Sequence, residues 1–141
     1  MRRAATLTVL CGVAALAGCG GSGDPLTKDQ LATQADAICA EYEKRIDALA
    51  EPQSLDEVET LAEEAKPIVE DGVDELDQLR PPQELEDEYD RWIEVNHDSV
   101  EAIDELKDAA ASGDERRVQQ VAEDAARKER QADALAREIG L

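Results

Sequence analysis

The chain has 141 residues, a formal net charge of −20 at pH 7 and 35% charged residues. Aromatic residues make up 2% and phenylalanine is absent, so any core must be assembled from Ala, Leu, Ile and Val, which favours close helix–helix packing. A surface this acidic excludes nucleic acid, and an anionic bilayer, as partners held by the protein face itself, because both are negatively charged.

Met1-Arg2-Arg3 precedes an apolar run from Ala4 to Ala17 and small residues before Cys19. A positive start, a short apolar stretch and a small-residue cleavage site read as a secretory signal peptide. The run is shorter than the roughly 20 apolar residues of a membrane-spanning helix. Leu16-Ala17-Gly18-Cys19 resembles the lipobox of bacterial lipoproteins. The resemblance implies cleavage before Cys19, diacylglycerol on its sulfur, and Cys19 as the new N-terminus. The expected organisation is a signal peptide at 1–18, a lipidated cysteine and Gly-rich linker at 19–25, and a helical domain at 26–141. Loss of Arg2 and Arg3 takes the charge to about −22. The lipid must then do the membrane work.

Of the three cysteines, Cys11 leaves with the signal peptide and Cys19 is committed to lipid. Cys39 remains, in a compartment where disulfides form. It is a small buried hydrophobe, a free thiol, or the bridge of a Cys39-linked dimer.

The helical domain opens at Thr27-Lys28-Asp29-Gln30, which has the form of a capping box. Leu31, Ala35, Ile38, Tyr42, Ile46 and Leu49 follow at spacings of three or four and form one apolar stripe, with Cys39 on its edge. Glu51-Pro52 ends this helix, and Ser54-Leu55-Asp56-Glu57 suggests a second capping box. The second helix carries Leu55, Val58, Leu61, Ala65, Ile68, Val69, Leu76 and Leu79 inward. Pro67 predicts a kink or a break near Lys66-Pro67, and Gly72 weakens the same region.

Arg80-Pro81-Pro82 is a boundary. The third helix is expected from about Gln83 to Ala111, with a seam of Leu85, Tyr89, Trp92, Asn96, Ser99, Ile103, Leu106 and Ala110. Glu84, Glu86, Asp87 and Glu88 suit the positive end of its dipole. Ser112-Gly113-Asp114 forms the last turn, with Asp114 as N-cap of the fourth helix. Gly140 sits where a left-handed terminator belongs, with Leu141 as its apolar contact. Four helices joined by short turns predict an all-α, up-down-up-down antiparallel four-helix bundle. The competing arrangement is an elongated coiled coil with a second chain; the breaks at Pro52, Pro81-Pro82 and Gly113 favour folding back.

Charge is unevenly spread. Residues 19–113 hold 7 Lys/Arg against 28 Asp/Glu, while residues 114–141 hold 6 against 7. Arg116, Arg117, Arg127, Lys128, Arg130 and Arg137 are therefore expected beside the acidic helices, relieving their repulsion.

Chemistry-bearing motifs are sparse. His97 is the only histidine, and Glu94 and Glu101 share its helical face, a pattern common in acidic helices and no basis for assigning a metal. No cofactor motif is present. Cys39 and His97 fall on different helices, so a nucleophilic pair is not indicated. Asn96 and Ser99 interrupt the third seam. They read either as a hydrogen bond that fixes helix register or as the polar floor of a pocket between Tyr42, Tyr89 and Trp92.

Leu26-Thr27-Lys28-Asp29-Gln30, Gln34-Ala35-Asp36-Ala37-Ile38-Cys39, Leu79-Arg80-Pro81-Pro82 and Ala136-Arg137-Glu138-Ile139-Gly140-Leu141 together resemble a group of small actinobacterial lipoproteins. That group carries no agreed activity. In it a second cysteine often lies just past the Gly-Leu, where it can pair with the one in Ala-Asp-Ala-Ile-Cys; this chain has no such residue. The expected function is a membrane-anchored extracytoplasmic module, structural or binding another envelope protein. A small-molecule carrier or sensor is the alternative, and an enzyme is the least supported.

Overall fold

The structure, a computed structural model, describes residues 24–141. The chain forms α1 (Lys28–Asp47), α2 (Leu55–Asp77), a 3-10 turn at Gln83–Leu85, α3 (Glu86–Ala111) and α4 (Glu115–Ile139). It is an all-α four-helix bundle, as the periodicity predicts. The expected signal peptide and lipobox, residues 1–19, lie outside the described residues.

Caps set the boundaries. The Thr27 hydroxyl accepts the Gln30 N–H at 3.3 Å, and the Gln30 side chain accepts the Thr27 N–H at 2.9 Å, completing a reciprocal box. At α2, Ser54 accepts the Glu57 N–H at 3.3 Å, but the Glu57 carboxylate turns to the Gln53 N–H instead. The expected second capping box is thus displaced by one residue on its return arm. Asp114 accepts the Arg117 N–H at 3.1 Å and starts α4. Gly140 adopts φ 87°, and the Leu141 N–H returns to the Ala136 carbonyl at 2.9 Å. Only glycine takes that conformation without a steric cost.

Helix α2 is one continuous helix through Pro67. The proline faces solvent, so the carbonyl four residues earlier, at Glu63, loses its intrahelical partner on the side where water replaces it.

The helices pack in chain order, α1 on α2, α2 on α3 and α3 on α4. Their main core lies at one end, where Leu31 and Ala35 of α1, Leu76 of α2, Tyr89, Trp92 and Ile93 of α3, and Ile139 of α4 form one buried cluster. Leu26, Leu79, Leu85 and Leu141 pack against it. The Leu26 N–H also donates to the Arg80 carbonyl at 2.8 Å, so the fold begins tied to the α2–α3 connection.

Ion pairs and one tyrosine show how the helices are arranged around α3. Tyr89 Oη donates to the Leu76 carbonyl at 2.7 Å, Lys107 meets Glu63 at 2.8 Å and Lys66 meets Asp104 at 2.6 Å; these place α2 on one side. Lys128 of α4 donates to the Asp98 carbonyl at 3.0 Å and places α4 on the other. At about 100° per residue, Asp98 projects away from Tyr89, Asp104 and Lys107. Helix α3 is therefore the middle of a three-helix layer, and α1 covers that layer most completely at the Leu31–Trp92 end.

Candidate functional site

The line Trp92, Asn96, Ser99, Ile103, Leu106, Ala110 runs down the inner side of α3 at spacings of four and three. Trp92 and Ala110 are buried, at 5% and 4% exposure. Between them, Asn96, Ser99, Ile103 and Leu106 are only half-buried. The seam that a closed bundle would bury is open in its middle. The reason lies in α1. Tyr42 rests on Gly72, only four residues before Leu76 of the core, although Tyr42 is eleven residues beyond Leu31. Eleven helical residues advance about 16 Å and four advance about 6 Å, so α1 crosses α2 obliquely instead of following it.

Sequence position suggests a register bond or a pocket floor for Asn96 and Ser99; the hydrogen bonds they make are local and do not tie α3 to another helix. Asn96 Nδ2 donates to the Trp92 carbonyl at 2.8 Å, and Ser99 Oγ donates to the Val95 carbonyl at 3.0 Å. Each bonds its own helix four residues back. They tolerate this position because solvent reaches it, and the described residues contain no buried side-chain polar atom without a partner.

The four residues of the candidate pocket separate into two places. Tyr89 and Trp92 form a tilted ring pair, centroids 5.4 Å apart, inside the core. Burial pushes the Tyr89 hydroxyl well above its ordinary pKa, with Asp77 and Cys39 adding to the effect. Tyr42 lies instead on α1 over Gly72, donating to Glu75 Oε1 at 2.7 Å, with the Arg45 guanidinium 4.8 Å from its ring centroid. The hydrogen bond to Glu75 is the main cause that raises the Tyr42 pKa. Two of the surface concavities among the described residues lie elsewhere. One, of about 570 Å³, lies beside Pro25, Arg80 and Asp87; the other, of about 320 Å³, lies beside Asp90, Glu94 and His97. Neither is lined by Tyr42, Tyr89, Trp92 or Asn96. Among the described residues no three His, Cys, Asp or Glu side chains converge as a metal-binding group.

Cys39 carries a free thiol, half-buried against the core cluster. Burial raises its pKa, and the charges of Glu43 and Asp36 raise it further. The thiol is therefore protonated at neutral pH and a weak nucleophile. Cys19, Leu16, Ala17 and Gly18 lie outside the described residues.

The cations of α4 depart from expectation. Among the described residues, Lys128 is the α4 cation that reaches an acidic neighbour helix, at Asp98. Arg127 and Arg137 pair within α4, with Asp124 at 2.7 Å and Asp133 at 3.7 Å. The relief of α2 and α3 comes instead from Lys66 and Lys107, whose pKa values rise through their bonds to Asp104 and Glu63. Sequence reasoning missed the Gly72–Tyr42 contact, whose signal was a glycine in register with the small and apolar flank Leu61, Ala65, Ile68. Comparison with protein-family models, curated proteins and solved structures finds no match for this chain.

Proposed function

We propose that the protein is an exported, lipid-anchored helical module of the cell envelope that binds another envelope protein. The observation that carries this reading is the Leu16-Ala17-Gly18-Cys19 sequence placed seven residues before Leu26, where the folded body begins. Seven residues span at most about 25 Å, so the Leu26–Arg80 end of the bundle is held close to the anchor. The open seam begins beyond Trp92 and runs away from that end. The resemblance to small actinobacterial lipoproteins supports the same assignment.

The tether also accounts for the charge. A body with 28 Asp/Glu against 7 Lys/Arg in residues 19–113 is repelled by anionic lipid. Attachment through lipid and presentation of the bundle away from the bilayer follow together. Replacement of Cys19 by Ala should release the protein from membranes and abolish lipid labelling. Crosslinking in intact cells should recover a reproducible envelope partner. Membrane retention of Cys19→Ala, or crosslinking that recovers no partner, contradicts the proposal.

A further inference from the structure

The half-open seam of α3 has walls as well as a floor. Ile103 and Leu106 are its apolar floor. Leu61 and Ile68 on α2 and Val118 on α4 are half-buried beside it. The α2 pair is in helical register with Gly72, and so with the side of α2 that faces α1. Asn96 and Ser99 each spend a donor on their own helix, and the rest of their polar capacity is left to water or to a polar side chain of the partner. Buried Trp92 and Ala110 bound the opening at its ends. From Asn96 to Leu106 it extends about 15 Å, three turns of a helix.

Acids edge the seam on both walls, and the nearby lysines, Lys66 and Lys107, are already paired with Asp104 and Glu63. Glu57 and Glu64 lie one helical turn from Leu61 and Ile68, and Glu115 and Glu129 lie one turn from Val118 and Ala125; all four acids are exposed. The cations of α4 are elsewhere. Lys128 is held on the α3 side by Asp98, Arg117 shares its side of α4 by spacing, and Arg116, Arg127, Arg130 and Arg137 share the outward face. An apolar trough with acidic edges complements a helix that is apolar on one face and basic on its flanks.

We infer that this seam docks a short amphipathic helix of a partner protein, about three turns long, with Lys or Arg flanking its apolar stripe. The inference rests on the reading that the module binds an envelope protein, and names its surface. A second copy of the chain placed face to face would set the acidic rims against each other, and an anionic lipid surface would meet the same repulsion.

The test uses full-length protein in phosphatidylcholine nanodiscs, with empty nanodiscs as blank, and a labelled Leu/Lys peptide with leucines at helical spacing. A scrambled peptide of the same composition and a Leu/Glu counterpart serve as controls. The amphipathic cationic peptide should bind saturably, and the controls should not. Ser99→Arg should weaken binding about tenfold, equivalent to ~1.4 kcal/mol. Gln120→Arg adds the same charge on the outer side of α4 and should leave affinity within about twofold. Ile103→Ala removes floor without adding charge and keeps the test decisive if Ser99→Arg fails to fold. Equal binding of the scrambled peptide, equal loss in both arginine variants, or no binding overturns the inference. In cells, a photocrosslinker at position 106 should capture a partner through a basic helical segment. Capture from position 130 alone, or of a second copy from 106, overturns the seam while leaving envelope anchoring intact. Peptide binding at the seam with no envelope partner captured from any position supports the surface and overturns the envelope-binding reading.

Discussion

Gly72 offers the sharpest test of how α1 is attached. A Cβ at this position would stand 2.9 Å from Tyr42 Cγ, 3.1 Å from Cδ2 and 3.3 Å from Cδ1. These are atoms at the root of the ring, which cannot swing aside without moving the whole side chain. Two opposing effects meet in Gly72→Ala. Inside a helix, alanine is favoured over glycine by about 1 kcal/mol. Overpacking of a tight contact costs roughly 1–3 kcal/mol, and here it also displaces Tyr42 from Glu75. The net expectation is destabilisation by about 1 kcal/mol, a fall in Tm of roughly 3–5 °C for a body of this size. With Tyr42 replaced by Ala the obstruction is gone and only the propensity gain remains, so the same Gly72→Ala change should stabilise by up to ~1 kcal/mol. The sign reverses between the two backgrounds. Urea denaturation followed by circular dichroism, run as a double-mutant cycle, measures this directly. Equal stabilisation in both backgrounds would refute the close approach of Tyr42 to Gly72, and with it the oblique crossing that opens the seam.

Leu31, with no exposed surface, should cost about 3 kcal/mol as Leu31→Ala, read from the urea midpoint. Gly113 and Gly140 adopt φ 71° and 87° with nothing near a prospective Cβ, so Gly140→Ala should cost about 1 kcal/mol through backbone strain alone, and Gly113→Asn should be nearly neutral by thermal melting. Tyr89 holds its proton more tightly when folded than its ordinary value of 10.0; below that value both states are protonated, and above it the unfolded chain releases its proton first. Stability should thus fall as pH rises beyond about 10, and Tyr89→Phe should flatten that alkaline limb in pH-dependent melts. Native Cys39 should react with an alkylating reagent about tenfold more slowly than in urea; equal rates would contradict its burial and raised pKa.

Local chemistry made the helix ends legible. Thr27, Asp114 and Gly140 are in the places their capping roles require, because a cap is a contact between residues three or four apart. Ser54 was legible as a cap for the same reason, while the return bond from Glu57 to Gln53 depended on a choice between two adjacent N–H groups. The start of α3 was legible to within one turn: Pro82 begins a 3-10 turn, closed by the Leu85 N–H to the Pro82 carbonyl at 2.8 Å, before the α-helix proper. Pairings across helices were not legible. Tyr42 shares the periodic stripe of Leu31 and Ala35, and periodicity alone assigns it to the same core. The angle at which α1 crosses α2 sends it to Gly72 instead. The α4 arginines failed for a related reason, since charge totals say nothing about which side of a helix meets its neighbour.

The same limit explains the polar seam. A stripe at spacings of three and four records which residues share a face, but not whether a fourth helix covers that face along its whole length. Trp92 and Ile103 occupy equivalent positions on α3, yet one is buried and the other only half-buried. In a closed bundle, Asn96 and Ser99 would each need a partner on another helix or would weaken the core. With one donor each held by their own helix and the rest of their polar capacity left to water, they suit an open interior better than a closed one. Tyr89 and Trp92 at the Leu26–Arg80 end and small polar residues beyond Trp92 therefore follow one physical division. The chain places two of its three aromatic side chains, Tyr89 and Trp92, where all four helices meet, and leaves the α3 seam with an apolar floor that water still reaches. That exposure is what an apolar helical partner would remove, and the acidic rim is what would select a basic one.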